Sequence, residues 1–185
     1  MTDGIPISTL SLDDATRRLD GLSTLLHACV HAGANINFVL PFSMDEAAAF
    51  WMKKVLLAMG EGTRVLWIAQ EGTRIVGSVQ LSTDTPPNQP HRADVTKLMV
   101  HPDFRRRGIA RALMARLEER AGALKRNLIT LDTRTGDSAE PLYASMGYIT
   151  AGRIPGYCRD TFVDRLDSTT IMYKALEEKR VASSE

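Results

Sequence analysis

The sequence predicts one α/β (α+β) domain, with about six or seven strands and about four helices. Three observations predict it. Apolar residues recur at helical spacing in two stretches before residue 60 and again from Ile109 to Leu124. Short β-rich segments bounded by Gly, Pro and Asp lie between and after them. No repeat or linker divides the 185 residues, a length that suits one domain of about 100–200 residues.

Ile5 to Leu10 reads as a first strand. Ser11, with Asp14 three residues on, has the form of an N-cap with an acid at N3, and Leu19, Leu22, Leu26 and Cys29 then mark one face of a helix. Ser43 and Glu46 form a capping box before a second helix, whose buried face is Ala47, Trp51, Val55 and Ala58. Val65 to Ala69 and Ile75 to Leu81 flank the turn Glu71-Gly72-Thr73 as a hairpin. The three prolines between Asp84 and Pro90 make a loop. Val95 to Val100 is a strand ended by His101-Pro102, and Ile109, Leu113, Leu117 and Leu124 line a third helix. Leu128 to Leu131 is a strand, Ala139 to Met146 a short helix, and Tyr148 to Ala151 and Thr170 to Tyr173 are the last strands. The domain is expected to span residues 1–176, with 177–185 a frayed charged tail.

At 44% hydrophobic and 24% charged residues the chain can bury a core, and its net charge of +1 sets up no global attraction for nucleic acid or acidic lipid. Met1 to Leu12 lacks the order of a signal peptide, and no window reaches roughly 18 apolar residues. A cytoplasmic protein without membrane partners is expected by default. Cys29 and Cys158 form no CxxC pair. His27 and His31 stand four apart on a helix, as metal ligands can, but no third ligand accompanies them and no metal is expected.

The run Lys97-Leu98-Met99-Val100-His101-Pro102-Asp103-Phe104-Arg105-Arg106-Arg107-Gly108-Ile109-Ala110-Arg111 carries the strongest chemical signal. A strand enters a turn that becomes the start of a helix. Gly108 removes a side chain where backbone must approach a ligand, and Ala110 keeps the next contact small. Free N–H groups and the positive end of the helix dipole then converge on one spot, as a pyrophosphate requires, and arginines add charge-assisted contacts. A P-loop would need Gly-Lys followed by Ser or Thr, and a dinucleotide fingerprint GxGxxG; neither occurs. Seen alone, the arginine run would better suit a solvated turn, with Gly108 only a flexible joint.

Its wider context resembles motif A of the GNAT acetyltransferases: Arg-x-x-Gly-x-Ala after a Val/Leu/Met strand and a His-Pro-Asp link. Ala139-Glu140-Pro141-Leu142-Tyr143-Ala144-Ser145-Met146-Gly147-Tyr148 resembles motif B. The resemblance implies a central mixed, mostly antiparallel sheet flanked by helices, with acetyl-CoA as cofactor. It implies that the loop binds the pyrophosphate, through Arg105, Arg106, Arg107, Gly108, Ile109, Ala110 and Arg111, and that the main chain of Leu98, Met99 and Val100 pairs with the pantetheine arm. Gly136 departs from the pattern, standing where many members carry asparagine. The phrases His31-Ala32-Gly33-Ala34, Val79-Gln80-Leu81-Ser82, Leu131-Asp132-Thr133 and Ile154-Pro155-Gly156-Tyr157-Cys158 are similar to those of the tabtoxin-resistance group in that family, enzymes that acetylate a small amino-acid-like toxin.

An amine attacks a thioester only as the free base, so a proton acceptor is expected. Asp94 and Asp132, at opposite ends of adjacent strands, are the candidates, although either also suits a capping or salt-bridged surface position. Within motif B, Tyr143 is expected to protonate the departing thiolate, and a backbone N–H near Met99 to meet the developing oxyanion. His31, Asn35, Tyr157 and Cys158 are expected to line the acceptor pocket, with His31 or Arg159 opposite a carboxylate. Cys158 also permits a rival scheme through an acetyl-cysteine. The expected activity is acetylation of a small amino-acid-like amine by direct attack, and the tabtoxin-resistance likeness adds a resistance role. The alternatives are a protein N-terminal or lysine acetyltransferase, or an acyl-CoA-binding regulatory domain without turnover. The family implies a homodimer.

Overall fold

The computed structural model describes residues 4–176; the expected tail at 177–185 lies outside them. Seven strands form one sheet in the order β1-β2-β3-β4-β5-β7-β6. The first stretch contains β1 (Ile7–Thr9), α1 (Leu12–Arg17) and α2 (Leu19–His31). Ser11 caps α1, its side chain accepting the Asp14 N–H, as its spacing predicts. The single helix expected there is two, divided at Arg18.

The capping box of Ser43 and Glu46 is present at the start of α3 (Met44–Phe50). The helix then widens into a π-helical segment (Trp51–Leu56) before α4 (Leu57–Gly60). Sequence gives no sign of the widening, because Ala47, Trp51 and Val55 share a buried face at either pitch. Next come β2 (Arg64–Glu71) and β3 (Arg74–Ser82), a hairpin closed at Glu71↔Arg74, followed by β4 (Arg92–Val100). A 3-10 turn (Pro102–Phe104) leads to α5 (Ile109–Ala123). The chain ends with β5 (Leu128–Arg134), α6 (Ala139–Ser145), β6 (Ile149–Arg159) and β7 (Leu166–Ala175), the last two longer than their apolar runs predict. The outer half of β6 is exposed and interrupted by Pro155 and Gly156, and that of β7 is polar from Asp167 to Thr170, so hydrophobic periodicity does not mark them.

Both faces of the sheet are covered. On one, Leu113, Met114, Leu117 and Ala121 of α5 pack on Val79, Leu81, Ala93 and Ile129. On the other, Leu22, Leu25, Leu26 and Trp51 pack on Leu66, Ile68 and Met99. Gly77 lets α5 start directly on β3, since a Cβ there would lie 2.9 Å from Ile109 Cγ2 and 3.2 Å from Met99 O. Among the described residues, no helix is long and apolar enough to cross a membrane.

Candidate active site

A cleft opens where β4 and β5 part. These strands pair in parallel for three residues only, Arg92↔Leu128, Ala93↔Ile129 and Asp94↔Thr130. Strand β5 continues along β7 to Arg134↔Thr169. Strand β4 instead carries an extra residue, with Gln80 opposite Thr96 but Ser78 opposite Met99. Lys97 takes a φ of 51° inside this bulge. The His101 N–H donates to Val76 O at 2.9 Å, and main-chain direction alternates along a strand, so Val100 turns its N–H and C=O away from β3 and into the gap. The cleft has a volume of about 730 Å³ and runs from the start of α5 to the α2–α3 loop.

One end gathers main-chain N–H donors at the start of α5. Gly108 is the N-cap of α5 in the left-handed region, at φ 77°, and a Cβ there would meet nothing within 4 Å. The first intrahelical bond runs from Ala112 N–H to Gly108 O, which leaves the N–H groups of Ile109, Ala110 and Arg111 free for a ligand. Arg105, Arg106 and Arg111 line the same end, Arg105 Nε donating to Val100 O at 3.4 Å and the Arg111 guanidinium to Ser145 Oγ at 2.6 Å. This donor set suits the pyrophosphate of the acetyl-CoA that the motif implies. Arg107 departs from the expected set: it pairs with Glu71 at 3.0 Å, lies over the Phe104 ring and does not line the cleft. Cys29, which the sequence does not single out, lines the cleft and donates to Val100 O at 3.5 Å; burial pushes its thiol up to about 11.

Leu98, Met99 and Val100 border the middle of the cleft, with Tyr143 and Asp132 facing them. Tyr143 is 5% exposed and packs edge-on against Tyr148. Burial, reinforced by the charges of Asp132 and Asp137, holds its phenol well above its ordinary value, so it keeps its proton through the neutral range. Asp132 takes a 3.4 Å hydrogen bond from Thr169 Oγ1 and has no ion-pair partner among the described residues. Asp94 is different. It sits where β4 and β5 still touch, Arg92 and Thr130 both donate to its Oδ1, and it does not line the cleft. The aspartates therefore do not flank one site as their strand positions suggest, because the strands diverge between them.

The acceptor end is roofed by residues 32–37 after α2. Asn35 lines it and donates to Cys158 Sγ at 3.3 Å. Neither Cys158 nor Tyr157 lines the cleft, and Tyr157 is 52% exposed. No histidine approaches Cys158 within hydrogen-bond reach among the described residues, so the acetyl-cysteine scheme lacks its base. His31 faces a separate hollow, with Nε2 against Phe42 O at 2.9 Å, and Arg159 pairs with Asp164 at 2.9 Å. Neither points a cation into the cleft. The segment 160–165 folds over the roof instead: Leu40 N–H donates to Thr161 O at 3.1 Å, and Thr161 Oγ1 to Ala34 O at 3.4 Å. Asp160 staples that segment. It accepts the N–H groups of Phe162 and Val163, which hold its carboxyl below the usual range, and it binds Arg165 at 2.9 Å.

Residues 40–155 match the family model described as the acetyltransferase (GNAT) domain. An uncharacterized N-acetyltransferase from the hisH–hisA intergenic region of Azospirillum brasilense is 31% identical over 139 residues, which cover 70% of this chain and 80% of that one. The putative acetyltransferase yncA of Salmonella typhimurium, solved with acetyl-CoA, superposes with a TM-score of 0.72 at 16% identity, covering 97% of this chain and 98% of that one. A ribosomal-protein-alanine N-acetyltransferase from Brucella melitensis superposes with the same TM-score, 0.72, at 19% identity, covering 92% and 99%.

Proposed function

Because the chain belongs to the GNAT family of N-acetyltransferases, which use acetyl-CoA, we propose that it acetylates a small amino-acid-like amine entering beside Asp132. One observation carries this reading: Asp132 presents an unpaired carboxylate in a cleft whose acceptor end is roofed by residues 32–37, themselves held down by the segment around Thr161. A carboxylate so placed attracts an ammonium, and in this reading the pinned roof favours a compact acceptor over an extended peptide. The structural likenesses at 16% and 19% identity share only the fold, so the acceptor must be argued from this pocket.

Acetyl-CoA supplies an acetyl group activated as a thioester. The chain's part is to align and to move protons. In this reading Asp132 holds the acceptor ammonium and takes its proton, directly or through water, as the amine becomes nucleophilic. The Tyr143 hydroxyl gives a proton to the departing sulfur. The main-chain groups of Leu98 to Val100 line the arm that carries the thioester, and the start of α5 with Arg105, Arg106 and Arg111 anchors its phosphates. Asp94, engaged by Arg92 and Thr130, keeps the strands joined at the closed end of the cleft. The similarity of the sequence phrases to the tabtoxin-resistance group supports an acceptor of this size and carries the resistance role as part of the same proposal.

The test is release of free thiol from acetyl-CoA with free amino acids and related small amines set against peptides bearing free N-termini. Small amines are expected to give the higher kcat/KM. A tenfold advantage for peptides, about 1.4 kcal/mol of transition-state preference, would make the chain a protein N-terminal acetyltransferase instead. Asp132→Asn keeps the shape but neither charge nor basicity, and should cut kcat/KM for the best small amine by about 10²-fold or more while leaving the acetyl-CoA Kd in place.

A further inference from the structure

Resting on the small-acceptor reading, we propose that Lys97 is the anion-binding residue of the acceptor site, its ammonium taking the carboxylate of the compound whose amine meets Asp132. Lys97 lines the cleft from the bulge in β4, the irregularity that swings this side chain towards the α2–α3 loop. Its Nζ donates to Ile36 O at 2.8 Å, and lies 5.4 Å from the Phe38 ring centroid and 5.5 Å from that of Phe50. An ammonium has three N–H donors, and only one has a conventional acceptor here. The aromatic faces favour a cation but accept no strong hydrogen bond.

No carboxylate lies within salt-bridge distance of Lys97 among the described residues, although it is partly buried. Charged groups in that setting are normally paired. The electrostatic deficit shows in its titration: burial pushes Lys97 down to about 8, only partly opposed by the charge of Asp132. One cleft thus holds an unpaired cation and an unpaired anion that sense each other without touching. A zwitterion complements both at once, whereas a simple amine would leave the ammonium of Lys97 uncompensated. The two other cations that the sequence offers for this role, His31 and Arg159, are engaged elsewhere.

The experiment uses the full chain, acetyl-CoA and a panel of α-, β- and γ-amino acids, each beside its own carboxamide. Wild type is expected to prefer the free acid of its best acceptor at least tenfold in kcat/KM. Lys97→Met, which keeps the length and removes the charge, should erase that preference by raising KM for the acid tenfold or more while changing the carboxamide little. Lys97→Arg should restore part of the preference. Calorimetry should give one acetyl-CoA Kd for all three proteins, as a check that the cleft is intact. Equal losses on acid and carboxamide in Lys97→Met would reduce Lys97 to a pin for the loop at Ile36 and overturn the assignment. So would an acid preference that survives the substitution. Wild type that favours peptides, or acetylates no amino acid, removes the small-acceptor reading itself, an outcome visible before any variant is compared.

Discussion

Tyr143→Phe is expected to lower kcat by about 10²- to 10⁴-fold with little change in the acetyl-CoA Kd. The ring is what packs: it lies edge-on to Tyr148, with 5.6 Å between centroids, and is 5% exposed. Phenylalanine preserves that contact, so the fold and the cofactor end of the cleft should survive. Only the hydroxyl is lost, from a residue that lines the cleft across from β4. Burial keeps that hydroxyl protonated, which suits a donor and not an acceptor. Single-turnover measurement isolates the chemical step from product release. An unchanged single-turnover rate would return Tyr143 to a purely structural role.

Gly108→Glu should remove measurable acetyl-CoA binding, by two effects that act together. The substitution places a negative charge at the N-terminus of α5, where Ile109, Ala110 and Arg111 offer free N–H groups to phosphate. It also fills space that is empty in the native cleft, since a Cβ at 108 meets nothing within 4 Å. The left-handed φ of 77° adds roughly 1–2 kcal/mol of backbone strain for any L side chain. Gly108→Ala carries the strain without the charge and should weaken binding much less. Arg105→Ala should cost about 1–3 kcal/mol, the scale of a hydrogen bond to a charged group. Arg107→Ala should leave Kd nearly unchanged, because that guanidinium is held by Glu71 and Phe104 outside the cleft. Calorimetry on variants with native melting behaviour checks all four. Native affinity in folded Gly108→Glu would put the pyrophosphate somewhere other than the start of α5.

The sequence by itself determined the features whose causes are local. Ser43 and Glu46 are three residues apart, and that spacing alone makes a capping box. The Gly72 turn brings β2 back against β3 with only two residues between paired positions. Gly108 followed by a helical repeat marks a phosphate-ready helix start, because the free N–H groups and the dipole belong to the first turn of any such helix. The family was legible for the same reason, its motifs being short runs around single turns.

Tertiary structure decided everything that depends on how β4 and β5 lie together. Strand positions suggested that Asp94 and Asp132 flank one site. Pairing that stops after Asp94↔Thr130 leaves Asp94 tied to Arg92 and Thr130, and only Asp132 open to the cleft. Lys97 was unreadable as a pocket residue, because the bulge that turns it arises from the register between β3 and β4 and leaves no mark on the alternation of residue types. The three arginines of the loop are indistinguishable in sequence, yet Glu71, 36 positions before Arg107, draws that one away. His31 reads as a pocket residue until Phe42, across the α2–α3 loop, supplies its partner. In each case the outcome turns on a contact beyond the local repeat, such as Thr130 against Asp94 or Glu71 against Arg107, and such contacts are fixed by packing and register, which no local pattern encodes.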